Sequence, residues 1–167
     1  MSEAASSKSA AGMALTTSCE QIFDWARRAA VWPQPLGLAC CAVEMMPLFE
    51  AGRELAELGA AALGRTPEQS DVLIVAGTVS EKMAPLLRRL WQEMPRPSWV
   101  IAMGACASCG GPYRTYAVTQ GIDRVIPVDV FVAGCPPRLD TLLCALLHLE
   151  KKIGRRPSKK SAGGPPR

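Results

Sequence analysis

Cysteine is the residue whose type and spacing promise chemistry in this chain. Seven occur in 167 residues: Cys19, the adjacent pair Cys40 and Cys41, then Cys106, Cys109, Cys135 and Cys144. Residues 1–18 are rich in Ser and Ala, with one Lys and no apolar signal core, so secretion is not expected. Reducing compartments disfavour disulfides, and a surplus of thiols then points to metal binding or redox chemistry. Four thiolates can hold a zinc ion or a cubane iron–sulfur cluster. Structural zinc sites usually gather their ligands in two short loops, whereas 64 residues separate Cys41 from Cys106 and 28 separate Cys106 from Cys135. Each of these sits among small neighbours, as in Gly104-Ala-Cys106-Ala107 and Ala133-Gly-Cys135-Pro136. Such neighbours leave room for a group bulkier than one ion and let backbone N–H groups approach its sulfides. The pattern favours a cluster over zinc and leaves both open.

The vicinal pair poses a geometric problem. Adjacent side chains on a strand point to opposite faces, so two neighbouring thiols reach one centre only through a bent backbone. A cubane with separate irons gains from that; a single ion gains little. The plainer alternative is that one of the two is an ordinary buried core cysteine. Cys106 and Cys109 match the C-x-x-C redox spacing, but a reactive dithiol is expected at a helix start, and Gly104–Pro112 reads as a Gly-rich loop. Cys144 reads as a packing residue of the last helix, and nothing marks Cys19. His148, the sole histidine, suits a helix C-terminus as a positive charge. The chain has no phosphate loop, dinucleotide fingerprint or serine nucleophile elbow, and so no NADH site of its own.

The elements that must position these thiols follow from hydrophobic patterning. With 49% apolar and 20% charged residues the body is globular, and its length suits one domain. Residues 1–17 and 154–167 read as flexible ends, bracketing a single domain over 18–153. Ser18 is placed to cap a helix over about 19–30, ended by Trp32-Pro-Gln-Pro. Leu36–Ala39 is a short strand candidate, followed by a helix from Ala42; 53–63 is expected to be partly helical. Asp71–Ala76, Trp99–Met103 and Val128–Val132 are continuous apolar runs, the mark of parallel strands buried on both faces. A helix from Ser80 carries Met83, Leu86, Leu87, Leu90 and Met94 at helical spacing, and a final helix carries Leu139, Leu142, Leu143, Leu146 and Leu147. This alternation predicts a doubly wound α/β layer, in which sites form beyond the carboxyl ends of the strands. Cys40/Cys41, Cys106 and Cys135 each follow a predicted strand, so all four fall at that edge.

Charge is segregated. Residues 151–167 hold seven of the 19 Lys and Arg and none of the 15 Asp and Glu, so the body is mildly acidic and the tail basic. The tail has no aromatic residue, and nucleic-acid binding is not expected; contact with an acidic partner or anionic lipid is the sharper reading. No stretch approaches the roughly 18–20 apolar residues needed to span a bilayer.

At the cysteines the sequence resembles a known family. Gly37-Leu-Ala-Cys-Cys-Ala-Val-Glu-Met-Met46, Asp71–Thr78, Lys82-Met-Ala-Pro85, Gly104-Ala-Cys106 and Pro127–Arg138 are similar to the PSST-type (NuoB) iron–sulfur subunit of proton-translocating NADH:quinone oxidoreductase, complex I. The resemblance spans about residues 19–153. It implies a flavodoxin-like α/β fold, a mostly parallel sheet with helices on both faces and the cluster at the carboxyl ends of the strands. It implies that Cys40, Cys41, Cys106 and Cys135 ligate one [4Fe–4S] cluster, the terminal one of the electron chain, and that Trp32, Glu44 and Met46 lie near the cluster or the quinone pathway. The implied partners are a ferredoxin-like two-cluster subunit, a large hydrogenase-like subunit sharing the quinone site, and a membrane-arm subunit at the quinone entrance. The chain would then be a peripheral part of a hetero-oligomer on the cytoplasmic face of a bacterial inner membrane, and not catalytic alone. Two departures stand out: Gly64-Arg-Thr-Pro-Glu-Gln69 replaces the family's Arg-Ala-Ser-Pro-Arg-Gln, and Cys109 stands where Gly or Ser is common. The rival readings are the equivalent subunit of a membrane-bound [NiFe] hydrogenase or F420-type dehydrogenase, and a zinc-stabilised interaction module.

Overall fold

The computed structural model describes residues 31–50 and 66–155. Four strands, β1 (Pro33–Gly37), β2 (Val72–Ala76), β3 (Trp99–Met103) and β4 (Val130–Val132), form one sheet in the order β1-β2-β3-β4. Every pairing is parallel, with Val72 opposite Pro33 and Trp99, and Ile101 opposite Val130. β2 and β3 are buried at every residue, which explains why both read as unbroken apolar runs instead of alternating ones. The helices are α1 (Cys40–Glu50), α2 (Ala84–Glu93), α3 (Ala105–Cys109) and α4 (Leu139–Arg155).

Both faces of the sheet are covered. Met45 and Leu48 of α1 and Leu142, Leu146, Leu149 and Ile153 of α4 pack on Val72, Ile74, Ile101 and Met103. On the other face Leu87 and Trp91 of α2 and Ala107 of α3 pack with Met94 and Ile122 against Leu73, Val75, Val100 and Ala102. The result is the expected flavodoxin-like α/β arrangement.

Several boundaries differ from those expected from sequence, each for a physical reason. The first strand is Pro33–Gly37, not Leu36–Ala39. Its prolines cannot donate to a ladder, but β1 pairs only with β2, and an edge strand tolerates them. The following helix begins at Cys40, not Ala42. Gly104–Pro112 is not all loop: residues 105–109 form a helical turn closed by Gly110. The second helix buries Leu87 and Trp91 and leaves Leu86 exposed, so its core stripe is set by Trp91 and not by every leucine. The final helix continues to Arg155, two residues beyond the expected domain end. Its Leu147 is exposed, while Ala145, Leu149 and Ile153 extend the buried stripe. The helices expected at 19–30 and 53–63 lie outside the described residues, as does Cys19.

One polar clamp fixes the approach to β4. The Val100 N–H donates to Asp129 Oδ2 at 3.2 Å, and the Asp129 N–H donates to Val100 O at 2.9 Å. Lys152 Nζ lies 3.1 Å from Asp129 Oδ1 and donates to Asp129 O at 2.7 Å. The clamp joins β3, the entry to β4 and the last turns of α4. We predict that Asp129→Ala, which strips Lys152 and Val100 of this partner, lowers the unfolding free energy by about 2 kcal/mol. Asp140→Ala, which removes an exposed partner 3.8 Å from Arg138, should change it by about 0.5 kcal/mol or less. Urea titration of the two variants side by side measures the contrast.

Candidate metal centre

The thiols named above leave the sheet at three exits. Past β1 the chain turns over the end of β2: the Leu38 N–H donates to Ala76 O at 2.9 Å, and Ala39 crosses directly above Gly77. A Cβ on Gly77 would stand 2.6 Å from the Ala39 nitrogen, and its φ of +113° suits glycine alone. This crossing delivers Cys40 and Cys41 toward β3. Both then lie in the first turn of α1, so the expected bent strand is unnecessary. Adjacent residues on a helix diverge by only about 100°, and two neighbouring thiols can serve one side of the fold. Cys40 is exposed and Cys41 buried.

Cys106 enters from β3 through Gly104, and Cys135 from β4 through Gly134. The two exits are stitched together: Gly104 N–H donates to Val132 O and Ala105 N–H to Gly134 O, both at 2.9 Å. Cys41 packs into this seam. A Cβ on Gly104, whose φ is +92°, would stand 2.5 Å from Cys41 Sγ and 3.6 Å from Gly134 O. The missing Cβ at Gly104 is thus what lets the β1 thiol sit on the β3–β4 seam.

Electrostatics report the same convergence. The Cys41 thiol is pushed up from 9.0 to about 11, first by burial, then by the charge and hydrogen bonding of Cys40, and then by the charges of Cys106 and Cys135. Thiols from the other two exits thus act on Cys41, which cannot ionise beside them without cost. Such a site suits a cation, because metal binding replaces the proton and offsets the repulsion among thiolates.

Among the described residues no group of three or more His, Cys, Asp or Glu is arranged to hold a single metal ion. A tetrahedral zinc site draws four sulfurs to about 2.3 Å from one point. The donor set and the glycine seam fit a cubane cluster.

The remaining sequence candidates are placed differently. Cys109 sits on α3, exposed, its S–H donating to Ala105 O at 3.3 Å, and it is not among the groups acting on Cys41. Finding Cys106 and Cys109 on a helix removes one objection to a redox dithiol, yet Cys106 is buried with its Sγ against Gly111 while Cys109 is exposed. Cys144 is exposed and not a packing residue, as is His148 further along α4. Glu44 lies half-buried one helical turn after Cys40, and Met46 is 56% exposed on α1. Trp32, 41% exposed, precedes β1 and is separated from the cysteines by the strand's length, roughly 16 Å. Sequence reasoning did not single out Gly77; the only signal was a glycine directly after an apolar run.

No helix among the described residues is long and apolar enough to cross a membrane. Residues 39–149 match the family described as NADH ubiquinone oxidoreductase, 20 Kd subunit. The chain is 53% identical over 139 residues to the B 1 subunit of NADH-quinone oxidoreductase from Solibacter usitatus, covering 83% of this chain and 74% of the relative. It is 50% identical to NADH-quinone oxidoreductase subunit 6 of Thermus thermophilus, covering 83% and 77%. Among solved structures, a chain of the membrane-bound sulfane sulfur reductase, an archaeal respiratory membrane complex, superposes with a TM-score of 0.74 at 30% identity, over 86% of this chain and 78% of that one. A chain of the NAD+-reducing [NiFe]-hydrogenase superposes with a TM-score of 0.53 at 19% identity, over 77% and 93%, a likeness of fold.

In the metal-free chain, iodoacetamide should modify exposed Cys109 and Cys144 well before Cys41, whose sulfur is buried and held protonated. Peptide mass spectrometry over a time course reads the order. Because the folded pKa of Cys41 lies above its ordinary 9.0, its contribution to stability is intact below pH 9 and declines as pH rises toward 11. The metal-free chain should accordingly lose urea resistance across that window, and Cys41→Ala should flatten the loss.

Proposed function

Given that the chain belongs to the NADH ubiquinone oxidoreductase 20 kDa subunit family, we propose that it carries the terminal [4Fe–4S] cluster of a proton-translocating NADH:quinone oxidoreductase. Cys40, Cys41, Cys106 and Cys135 are its ligands. The observation that carries this reading is geometric: Cys41 Sγ lies against Gly104, on the seam where the exits that lead to Cys106 and Cys135 are hydrogen-bonded together. When bound, the cluster supplies a one-electron redox centre.

What the chain's own residues contribute follows from their placement. Cys41 and Cys106 anchor the buried side of the site, and exposed Cys40 and Cys135 leave its outer side at the surface. A partner must cover that side, since potential depends on exclusion of solvent and on hydrogen bonds to sulfur. Cys40 and Cys41 stand in the first turn of α1, where the partial positive charge of the helix's amino end complements a negatively charged centre. Glu44, one turn along, places a half-buried carboxylate beside the site. Val43 and Met46 present an apolar surface on the same helix, suited to a quinone ring in a cleft completed by a large hydrogenase-like subunit. Trp32 would serve a more distant part of that pathway, beyond the reach of the sulfurs.

In this reading a ferredoxin-like two-cluster subunit delivers electrons, quinone accepts them, and a membrane-arm subunit adjoins the quinone entrance. The assembly would place the chain peripherally on the cytoplasmic face of an inner membrane. The hydrogenase-type alternative is less well supported, because the NADH-quinone oxidoreductase relatives reach 53% identity and the sulfane sulfur reductase chain 30%.

Anaerobic purification of the complex, with and without substitutions in this chain, tests the assignment. We expect Cys41→Ala and Cys135→Ala each to abolish the reduced-cluster EPR signal of this subunit and quinone reduction, while Cys109→Ser retains both. Loss of the signal in Cys109→Ser, or its persistence in Cys135→Ala, would mean a different ligand set. A second expected outcome concerns Gly104→Ala: the added methyl collides with Cys41 Sγ and should lower iron content well below that of the parent.

A further inference from the structure

Away from the cysteines, a groove of about 660 Å³ runs between α2 and residues 115–125. Its walls carry three guanidinium groups, Arg88, Arg89 and Arg124, against one acid, Glu81. Arg89 is engaged by Glu93 at 2.8 Å. Arg88 and Arg124 make no ion pair among the described residues. Thr119 also lines the groove, with its Oγ1 buried and lacking a hydrogen-bond partner among the described residues.

Tyr116 stands in the same wall and is 98% exposed. Its position is braced. The Glu81 N–H donates to Ala117 O and the Thr119 N–H to Val79 O, both at 2.9 Å. Gln120 Nε2 donates to Tyr113 O at 2.9 Å and to Val118 O at 3.0 Å. A fully exposed aromatic held on a ribbon tied at both ends is pre-organised for contact, and tyrosine and arginine are the side chains that most often anchor interfaces.

We propose that this groove docks a carboxylate-bearing segment of another subunit of the same complex, with Arg88 and Arg124 pairing the carboxylates and Tyr116 as the aromatic anchor. Charge complementarity selects the occupant. The body of this chain carries an excess of acid, yet here two guanidiniums without an ion pair among the described residues line one groove, and guanidinium is the side-chain group best matched to carboxylates. The chain's own residues 151–167 are basic and hold no acid, so they cannot supply the complement. A small free anion would leave the Tyr116 ring in water; a polypeptide covers it. The docking site rests on membership of the multi-subunit family and not on which residues ligate the cluster.

The intact complex provides the test. With Arg88→Lys and Arg124→Lys in place, a zero-length carbodiimide should join position 88 or 124 to an Asp or Glu of a different subunit, identified by mass spectrometry. Arg88→Glu combined with Arg124→Glu should reduce co-purification of that subunit about tenfold or more, with the iron content of this chain unchanged. Cross-links confined to this chain's own acids, or full assembly of the charge-reversed variant, would overturn the proposal. So would protection of the two lysine-substituted positions by inorganic pyrophosphate with no inter-subunit cross-link, which would mark a small-anion site instead.

Discussion

The contact between the Cys41 sulfur and the bare Cα of Gly104 is the constraint around which the site is built. In a parallel sheet the strand exits are spaced by about 4.8 Å, and β1 and β3 are not neighbours. A thiol arriving from β1 must therefore cross the end of β2 before it meets anything from β3 or β4. The crossing depends on Gly77 beneath Ala39, and the landing depends on Gly104 beneath Cys41. A side chain at either glycine would push the first pair of thiols away from the other two exits.

The rest of the architecture keeps those exits fixed. β2 and β3 are buried throughout, with α1 and α4 on one face and α2 and α3 on the other. Close-packed interiors transmit displacement instead of absorbing it, so the carboxyl edge behaves as a rigid frame. Asp129 adds a polar tie between β3, β4 and α4 at the opposite end of β4 from Cys135. That frame holds the strand exits, and the thiols beyond them, in fixed relation to one another. At the carboxyl edge Cys41 and Cys106 are buried and Cys40 and Cys135 are exposed.

Relatives in two kinds of respiratory assembly share this frame. That is consistent with a module whose chemistry resides at one sheet edge, while its surroundings set what it reacts with. The exposed surfaces of this frame include the α1 flank bearing Val43 and Met46, and the arginine groove beside α2. Neither has a signature in spacing, since Arg88, Tyr116 and Arg124 meet only through tertiary structure.

Much of the fold was legible from residue order alone. Apolar runs at 71–76 and 99–103 carry the pattern of parallel strands buried on both faces, and cysteines placed directly after strands pointed to the carboxyl edge. The prolines of β1 were misleading, because whether a strand lies at an edge is decided by its neighbours and not by its own composition. The same holds for the vicinal cysteines, which were expected on bent extended chain and lie in a helical turn. Residue types thus determined which atoms could bind metal and roughly where each would emerge. Which sulfur is buried, which glycine admits it, and how the thiols perturb one another were decided only by long-range packing, since those quantities depend on distances between segments that the linear order does not contain.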